Sequence, residues 1–251
     1  MILTKEDNEK IEKIGYTQLL NLSAGTYVVK GLSEEKGIIE LLGTNLAYIM
    51  GLKVPKNHLC KIGENYYILS EDLNTEGIFT EASKVYGLDC DNINVYDAIR
   101  IALRKFVNTE IADDILKLYF LDCLIQNWDR RLDNWGFLSV NGKSCVVAFD
   151  FDNSFCKNGE LTYLHMGDNH YNSTFQDLAF FLENGIEQDI KKFLFYYELF
   201  RPELLFELLM FMKNTKQIAS EEVIKHLIAT YSANYQAIGA ILEEKLKKGR
   251  N

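Results

Sequence analysis

The most informative part of this chain is the sequence Asn127-Trp-Asp-Arg-Arg-Leu-Asp-Asn134, which is followed by Val146-Val-Ala-Phe-Asp150. Asp129 and Asn134 lie five residues apart, and Asp150 comes sixteen residues after Asn134. The second stretch is apolar up to its final carboxylate, as is typical of a buried strand. The pattern therefore predicts a polar loop, a short hairpin and a strand that ends at Asp150.

Carboxylates and an amide in this order fit the transfer of a phosphoryl group to a hydroxyl. Such transfer needs a carboxylate near the hydroxyl, oxygen ligands for Mg²⁺ and a cation beside the nucleotide phosphates. Protein kinases place an Asp and an Asn in one loop, a second Asp after the next hairpin, and a Lys on an upstream strand. Lys30 ends the strand-like Tyr27-Val-Val-Lys30, and Glu40 follows on a predicted helix. We expect Glu40 to pair with Lys30 and to hold its ammonium toward the phosphates.

These residues resemble the motifs of HipA-like kinases. The segment Asn127-Trp-Asp-Arg-Arg-Leu-Asp-Asn-Trp-Gly-Phe-Leu138 is similar to their catalytic loop, Asn-x-Asp-Arg-His-x-x-Asn-x-x-Phe. Ala148-Phe-Asp-Phe-Asp-Asn-Ser154 resembles their metal-binding Asp segment, and the stretch from Glu40 to Pro55 resembles their helix ending in Leu-Gly-x-x-Val-Pro. The resemblance covers roughly residues 14–185 in the correct order.

The resemblance implies an α+β, bilobal protein-kinase-like fold. Residues 1–73 would form a small N-lobe with an antiparallel sheet, and residues 74–251 a larger, mostly α-helical C-lobe. The C-lobe would hold the catalytic loop at residues 127–134 and the metal-binding segment at residues 146–154.

The resemblance also implies a role for each candidate site residue, with ATP and Mg²⁺ as cofactors. Asp129 would be the catalytic base, while Asn134 and Asp150 would be the metal ligands. Asp152 is an alternative or second metal ligand, because strand alternation would point it to the same face as Asp150 if the strand continued. The nucleotide would be contacted or positioned by Lys30, Glu40 and backbone groups near the hinge residues Glu71 and Leu73.

HipA-like proteins are bacterial Ser/Thr kinases, several of them toxins, so the resemblance implies a protein substrate and an antitoxin or regulatory partner. Three features depart from the family. Arg131 replaces the usual His, and only Gly15 and Ser23-Ala-Gly25 precede the Lys strand where a glycine-rich loop is expected. The chain is also shorter than HipA and is expected to lack its N-terminal subdomain, as a minimal kinase or a subunit completed by another protein would.

Two alternatives remain at this stage. Phosphoinositide and some small-molecule kinases also use Asp-Arg-x-x-x-Asn followed by an Asp, so the acceptor could be a lipid or a small molecule. A pseudokinase or regulatory binding module would keep the fold without the chemistry. The weak glycine-rich segment favours that module, whereas the presence of Lys30, Asp129, Asn134 and Asp150 argues against it.

Composition limits other functions. The 251 residues are 47% hydrophobic, which suffices for one large or two small domains, and carry a net charge of -9. Negative charge disfavours direct nucleic-acid binding, which needs Lys and Arg to displace counterions. We find no apolar stretch of about 20 residues for a membrane span and no signal-peptide pattern. The five cysteines are scattered without Cys-x-x-Cys spacing, so we expect reduced thiols in a cytoplasmic protein.

Hydrophobic periodicity predicts the remaining elements. Strands are predicted at residues 26–30, 57–60, 65–70, 135–140 and 144–149. Asn141-Gly142 predicts a tight hairpin between the last two strands. Residues 152–174 read as a polar loop in the place of a kinase activation segment, with His165, Asp168 and His170 as a weak zinc pattern. Helices are predicted at residues 4–14, 36–50, 95–106, 111–126, 175–184, 186–200, 202–213 and 220–248.

Overall fold

The computed structural model describes residues 3–15, 17–86, 110–127, 129–155, 187–215 and 220–248. Four sequence-based predictions fall wholly or mostly outside these ranges. They are the helices at 95–106 and 175–184, most of the polar loop at 152–174, and the weak zinc pattern of His165, Asp168 and His170.

A four-stranded antiparallel sheet forms the centre of the N-lobe. Its strands are β1 Thr17–Leu22, β2 Gly25–Leu32, β3 Asn57–Ile62 and β4 Asn65–Glu71. They are ordered β1-β2-β4-β3, and Lys30 on β2 pairs with Thr17 on β1 and with Ile68 on β4. Strand β1 was missed in the sequence because most of its side chains are exposed, so it shows no apolar alternation.

Two helices accompany this sheet. Helix α1 (Lys5–Ile11) starts with a capping box in which the side chains of Thr4 and Asp7 satisfy each other's backbone N–H groups. Helix α2 (Glu34–Ile49) starts at the N-cap Ser33, and the chain leaves it through Gly51, whose φ of +82° suits a residue without a side chain. Both predicted helices are therefore confirmed.

A second, three-stranded sheet lies at the junction of the two lobes. It contains β5 (Ile78–Glu81), β6 (Trp135–Val140) and β7 (Lys143–Ala148) in the order β5-β6-β7, all antiparallel. Asn141 and Gly142 have φ values of 51° and 79°, so both adopt the left-handed conformation of a primed hairpin turn. The hairpin is confirmed, and it delivers the chain to Asp150.

The C-lobe is mostly helical, and its helices pack around a core rich in aromatic residues. Phe120 is fully buried, and its ring centroid lies 4.8 Å from that of Phe193. Pro202 occupies the first turn of its helix, where its missing N–H does no harm. A short 3-10 helix at Leu73–Thr75 follows β4. The α-helices are α3 Ala82–Tyr86, α4 Glu110–Ile125, α5 Glu187–Leu199, α6 Pro202–Asn214 and α7 Glu221–Lys248.

The packing explains how the two lobes meet. One small core lies between α1 and the four-stranded sheet, with Ile11, Val29 and Leu69 fully buried. Helix α2 instead shares the large core of the C-lobe, through residues such as Leu42 and Leu46. The fold is thus α+β and bilobal, as predicted, while the boundary after residue 73 stays a prediction. None of the helices in the described ranges combines the length and apolar character that a bilayer crossing needs.

Candidate active site

A cavity of about 300 Å³ lies between the four-stranded sheet and the second sheet. Both sheets and the 3-10 helix contribute to its walls, so it occupies the cleft between the lobes. Its volume is at the lower end of the range for small-molecule sites. Five of the predicted site residues line it: Lys30, Glu40, Glu71, Leu73 and Asp150.

Lys30 contacts two carboxylates of the segment that follows β7. Its Nζ lies 2.7 Å from Asp150 Oδ1 and 3.1 Å from Asp152 Oδ2. Burial alone would lower the pKa of Lys30, but the charges of Asp150 and Asp152 raise it above its ordinary value. Lys30 therefore stays cationic at neutral pH, as a phosphate-binding residue must.

The expected ion pair between Lys30 and Glu40 is not formed. Glu40 is 5% exposed, and its carboxylate accepts hydrogen bonds from the backbone N–H of Phe151 and, at 3.3 Å, from Asn57 Nδ2. Burial and the neighbouring charge of Asp150 raise the pKa of Glu40 to about 7. The prediction was wrong because the chain after β7 brings two other carboxylates to Lys30 and gives Glu40 a backbone donor.

The backbone bends sharply at Asp150. Strand β7 ends at Ala148, and Asp150 has a φ of +62°, a conformation that Asp adopts more readily than most residues. The alternation used to place Asp152 beside Asp150 therefore does not hold, although both carboxylates contact Lys30. Burial and the charge of Asp150 raise the pKa of Asp152.

Helix α2 approaches this bend very closely. A side-chain carbon added at Gly43 would lie 2.4 Å from Cβ of Phe151, which is too short for any real contact. Phe151 is fully buried and stands between the two acidic residues in sequence. The absence of a side chain at Gly43 thus allows the acidic segment, Asp150 to Asp152, to lie close to Glu40 on the same helix.

Three carboxylates meet here. Ligand oxygens of Glu40, Asp150 and Asp152 lie within 4.8 Å of one another. Oxygen donors of this kind are what Mg²⁺ and Mn²⁺ prefer. The Oδ1 atom of Asp152 is buried and has no hydrogen-bond partner among the described residues. The residues present therefore fit a divalent cation.

Asp129, in the predicted catalytic loop, accepts hydrogen bonds from two asparagine side chains. Asn134 Nδ2 donates to the carbonyl of Asp129 at 2.6 Å, and Asn153 Nδ2 donates to Asp129 Oδ2 at 3.1 Å. Arg131 Nε lies 3.7 Å from Asp129 Oδ1, and Arg131 Nη2 lies 3.1 Å from Asp133 Oδ2. Arg131, in the place of the family's His, therefore contributes positive charge beside Asp129.

Arg130 holds this loop in place through contacts with helix α4 and with the backbone. This role was not identified from the sequence. It is 2% exposed, pairs with Asp122 on α4, and donates to the carbonyls of Asn134 and Phe149. Its guanidinium also stacks 4.6 Å from the ring centroid of Phe151. The only sequence signal was its place next to Asp129 in the motif.

The predicted hinge residues lie at the end of β4, whose last residue is Glu71, and at Leu73, the first residue of the 3-10 helix. The backbone N–H of Glu71 donates to the carbonyl of Lys56 at 3.0 Å, and the carbonyl of Leu73 accepts from Glu76 at 3.1 Å. Both residues line the cavity. Contact of their backbone with adenine stays a prediction.

Solved structures with this fold include the following two. The Helicobacter pylori proinflammatory kinase CtkA matches with a TM-score of 0.65 at 14% identity, over 94% of this chain and 93% of CtkA. HipA of Shewanella oneidensis MR-1, from a complex of the HipA and HipB toxin–antitoxin system with operator DNA, also matches with a TM-score of 0.65 at 14% identity. That match covers 92% of this chain and 66% of HipA. The sequence itself matches no family model and no curated protein. The protein therefore has the fold of HipA-like kinases, as its motifs predicted.

Proposed function

We propose that this protein is an ATP- and Mg²⁺-dependent phosphotransferase, and specifically a Ser/Thr protein kinase of the HipA-like type. The observation that carries the proposal is the 2.7 Å contact of Lys30 with Asp150 in the wall of the cleft, beside the loop of Asp129. A kinase fold with a cation and carboxylates around one cavity fits phosphoryl transfer, which depends on positioning and charge.

Each residue has a part in the proposed reaction. Asp129 accepts the proton of the attacking hydroxyl, and Lys30 binds the nucleotide phosphates. Asn134 and Asp150 hold Mg²⁺, which when bound neutralises phosphate charge. The backbone near Glu71 and Leu73 binds adenine.

The proposed acceptor is a protein. The HipA neighbour was solved together with HipB and operator DNA, so we also propose an antitoxin or regulatory protein as a partner of this chain. Because the net charge of -9 disfavours contact of this chain with nucleic acid, any such contact would be made by the partner.

The proposal is tested by incubating the purified protein with γ-labelled ATP and Mg²⁺, alone and in a bacterial lysate. We expect labelled protein bands with the wild type and none with Asp129→Asn, which keeps the shape of the residue but cannot accept the proton. ATP binding measured by calorimetry should persist in that variant. Binding without any labelled protein would instead indicate a small-molecule kinase or a pseudokinase.

A further inference from the structure

Three carboxylates share the space next to the cleft. Glu40 and Asp152 are 5% and 4% exposed, and their ligand oxygens lie within 4.8 Å of each other and of Asp150. Ionised carboxylates repel one another at such distances, most strongly where water is excluded. The arrangement therefore favours a cation among the three carboxylates.

The ammonium of Lys30 lies beside these carboxylates in the structure, but it does not contact all of their oxygens. Its ammonium contacts Asp150 and Asp152, while Lys36 Nζ stays 4.0 Å from Asp152. The buried Oδ1 of Asp152 has no hydrogen-bond partner in the part of the chain that the structure describes. A buried acceptor without a partner is unfavourable, and it points to a further ligand.

We propose that Glu40, Asp150 and Asp152 form a divalent-cation site that binds metal without nucleotide, and that Lys30 is a built-in counter-ion which the metal displaces. Bonds from oxygen to Mg²⁺ are about 2.1 Å long, shorter than the contacts of the Lys30 ammonium, so the carboxylates close in when the ammonium leaves. The displaced ammonium is then free to meet nucleotide phosphates. Metal binding thereby prepares Lys30 for the nucleotide.

This inference deepens the proposed function, because it concerns the same cleft, but it differs from it in one testable respect. The ligand set includes Glu40, which the kinase resemblance assigns to Lys30, and the cation needs no nucleotide to bind.

The test is calorimetric titration of the full chain with Mn²⁺ alone and with Mg²⁺ alone, without nucleotide. Removing the competing charge in Lys30→Met should tighten cation binding on the order of tenfold. Asp152→Asn should weaken it on the order of tenfold, because one anionic ligand is lost. Lys61→Met is the matched control, since Lys61 pairs with Glu64 on the β3–β4 hairpin and its loss changes the net charge equally.

A second measurement covers the case in which Lys30→Met is unstable. The midpoint temperature of its thermal unfolding should be lower in the presence of a metal chelator and should rise again when Mn²⁺ is added. The reason is that a ligand that binds only the folded state stabilises it. Asp152→Asn keeps the contact of Lys30 with Asp150 and so tests the site with Lys30 in place. Equal cation affinity in the wild type and Lys30→Met, or in the wild type and Asp152→Asn, would overturn the inference.

The proposed function can fail separately. Calorimetry with ATP in the presence of Mg²⁺ asks whether the cleft binds nucleotide. Loss of ATP binding with cation binding intact would reject the kinase proposal and leave the cation site standing. If the protein binds ATP but binds no cation in the absence of nucleotide, the cation site would be rejected and the kinase proposal would stand.

Discussion

Arg130 and Asp122 form a buried, two-point ion pair that fastens the predicted catalytic loop to helix α4. Arg130 Nε lies 2.9 Å from Asp122 Oδ2, and Arg130 Nη2 lies 3.1 Å from Asp122 Oδ1. The two side chains are 2% and 1% exposed. The remaining nitrogen, Nη1, reaches the carbonyls of Asn134 and Phe149, so one guanidinium holds the helix, the loop and the chain that leads to Asp150.

Asp122→Ala should strongly destabilise the protein. The substitution leaves the Arg130 charge buried without its anion, which typically lowers the free energy of unfolding by about 3–5 kcal/mol. Chemical denaturation at neutral pH measures this difference. Glu64→Ala is the control, because Glu64 is 96% exposed in its pair with Lys61 and its loss should cost less than about 1 kcal/mol. Similar losses in the two variants would contradict the structural role of the buried pair.

Gly43→Ala should disturb the acidic segment from the side of α2. Alanine favours a helix over glycine by about 1 kcal/mol, but the new methyl group would overlap Phe151. Overpacking of this kind costs about 1–3 kcal/mol, so the net effect is destabilising. Displacement of Phe151 should also weaken binding of ATP with Mg²⁺, which calorimetry measures.

Gly37→Ala on the same helix is the matched control. Its new methyl group would meet the end of the Leu59 side chain, which is only partly buried and can turn away. We expect stability equal to the wild type or higher, and unchanged ATP binding. If Gly37→Ala and Gly43→Ala behaved alike, the close approach of Phe151 would not be the cause.

The turn between β1 and β2 is held by Asp7, and this contact should make stability depend on pH. Asp7 is 2% exposed and accepts hydrogen bonds from the side chain of Ser23, from the N–H of Ser23 at 2.9 Å and from Thr4. These hydrogen bonds, that of the Ser23 side chain foremost, hold the pKa of Asp7 well below its ordinary value of 3.8.

A carboxyl whose pKa is lower in the folded state stabilises the protein above its unfolded pKa and loses that contribution as pH falls. The wild type should therefore be more stable than Asp7→Asn at pH 6, and the difference should shrink steadily below about pH 4. Thermal unfolding of both proteins across that range gives the comparison. A difference that stayed constant down to pH 2 would show that the charge of Asp7 does not matter.

Much of the fold could be predicted because its signals are local. The spacing of motifs indicated Lys30, Asp129, Asn134 and Asp150 as candidate site residues, and helices such as α2 show a clear apolar period. Strands β1 and β5 were missed, since β1 is largely exposed and β5 has only four residues. Neither offers the alternation on which strand prediction depends.

The partners of the charged residues could not be predicted. Glu40 was expected to pair with Lys30, and Asp122 lies on a predicted helix, where an acidic residue is usually solvated. Only tertiary packing shows that both carboxylates are buried against other partners. The partner of Lys30 depends on the left-handed backbone at Asp150, which the sequence allows but does not indicate. Local patterns thus locate the candidate site, whereas its ion pairs depend on how distant segments meet.

Asn153 links the candidate base to helix α2. Its Nδ2 donates to Asp129 Oδ2 at 3.1 Å, and its Oδ1 accepts from Lys36 Nζ at 2.9 Å. Asn153 therefore orients one oxygen of Asp129 and is itself oriented by a residue in the first turns of α2. In the proposed kinase this arrangement would position the base without contacting the nucleotide.

Asn153→Ala should lower kcat for phosphoryl transfer while leaving the KM for ATP nearly unchanged. Loss of a positioning contact to a catalytic group typically lowers the rate by about 10- to 100-fold, because a small misplacement of the base is sufficient. Lys36→Met should show a smaller loss of the same kind, since Lys36 is half exposed and reaches Asp129 through Asn153. Asn21→Ala, which removes an exposed strand amide that accepts from Thr26, is the control and should leave both constants unchanged. A rise in the KM for ATP without a fall in kcat would mean that Asn153 serves nucleotide binding and that Asp129 is oriented by other groups.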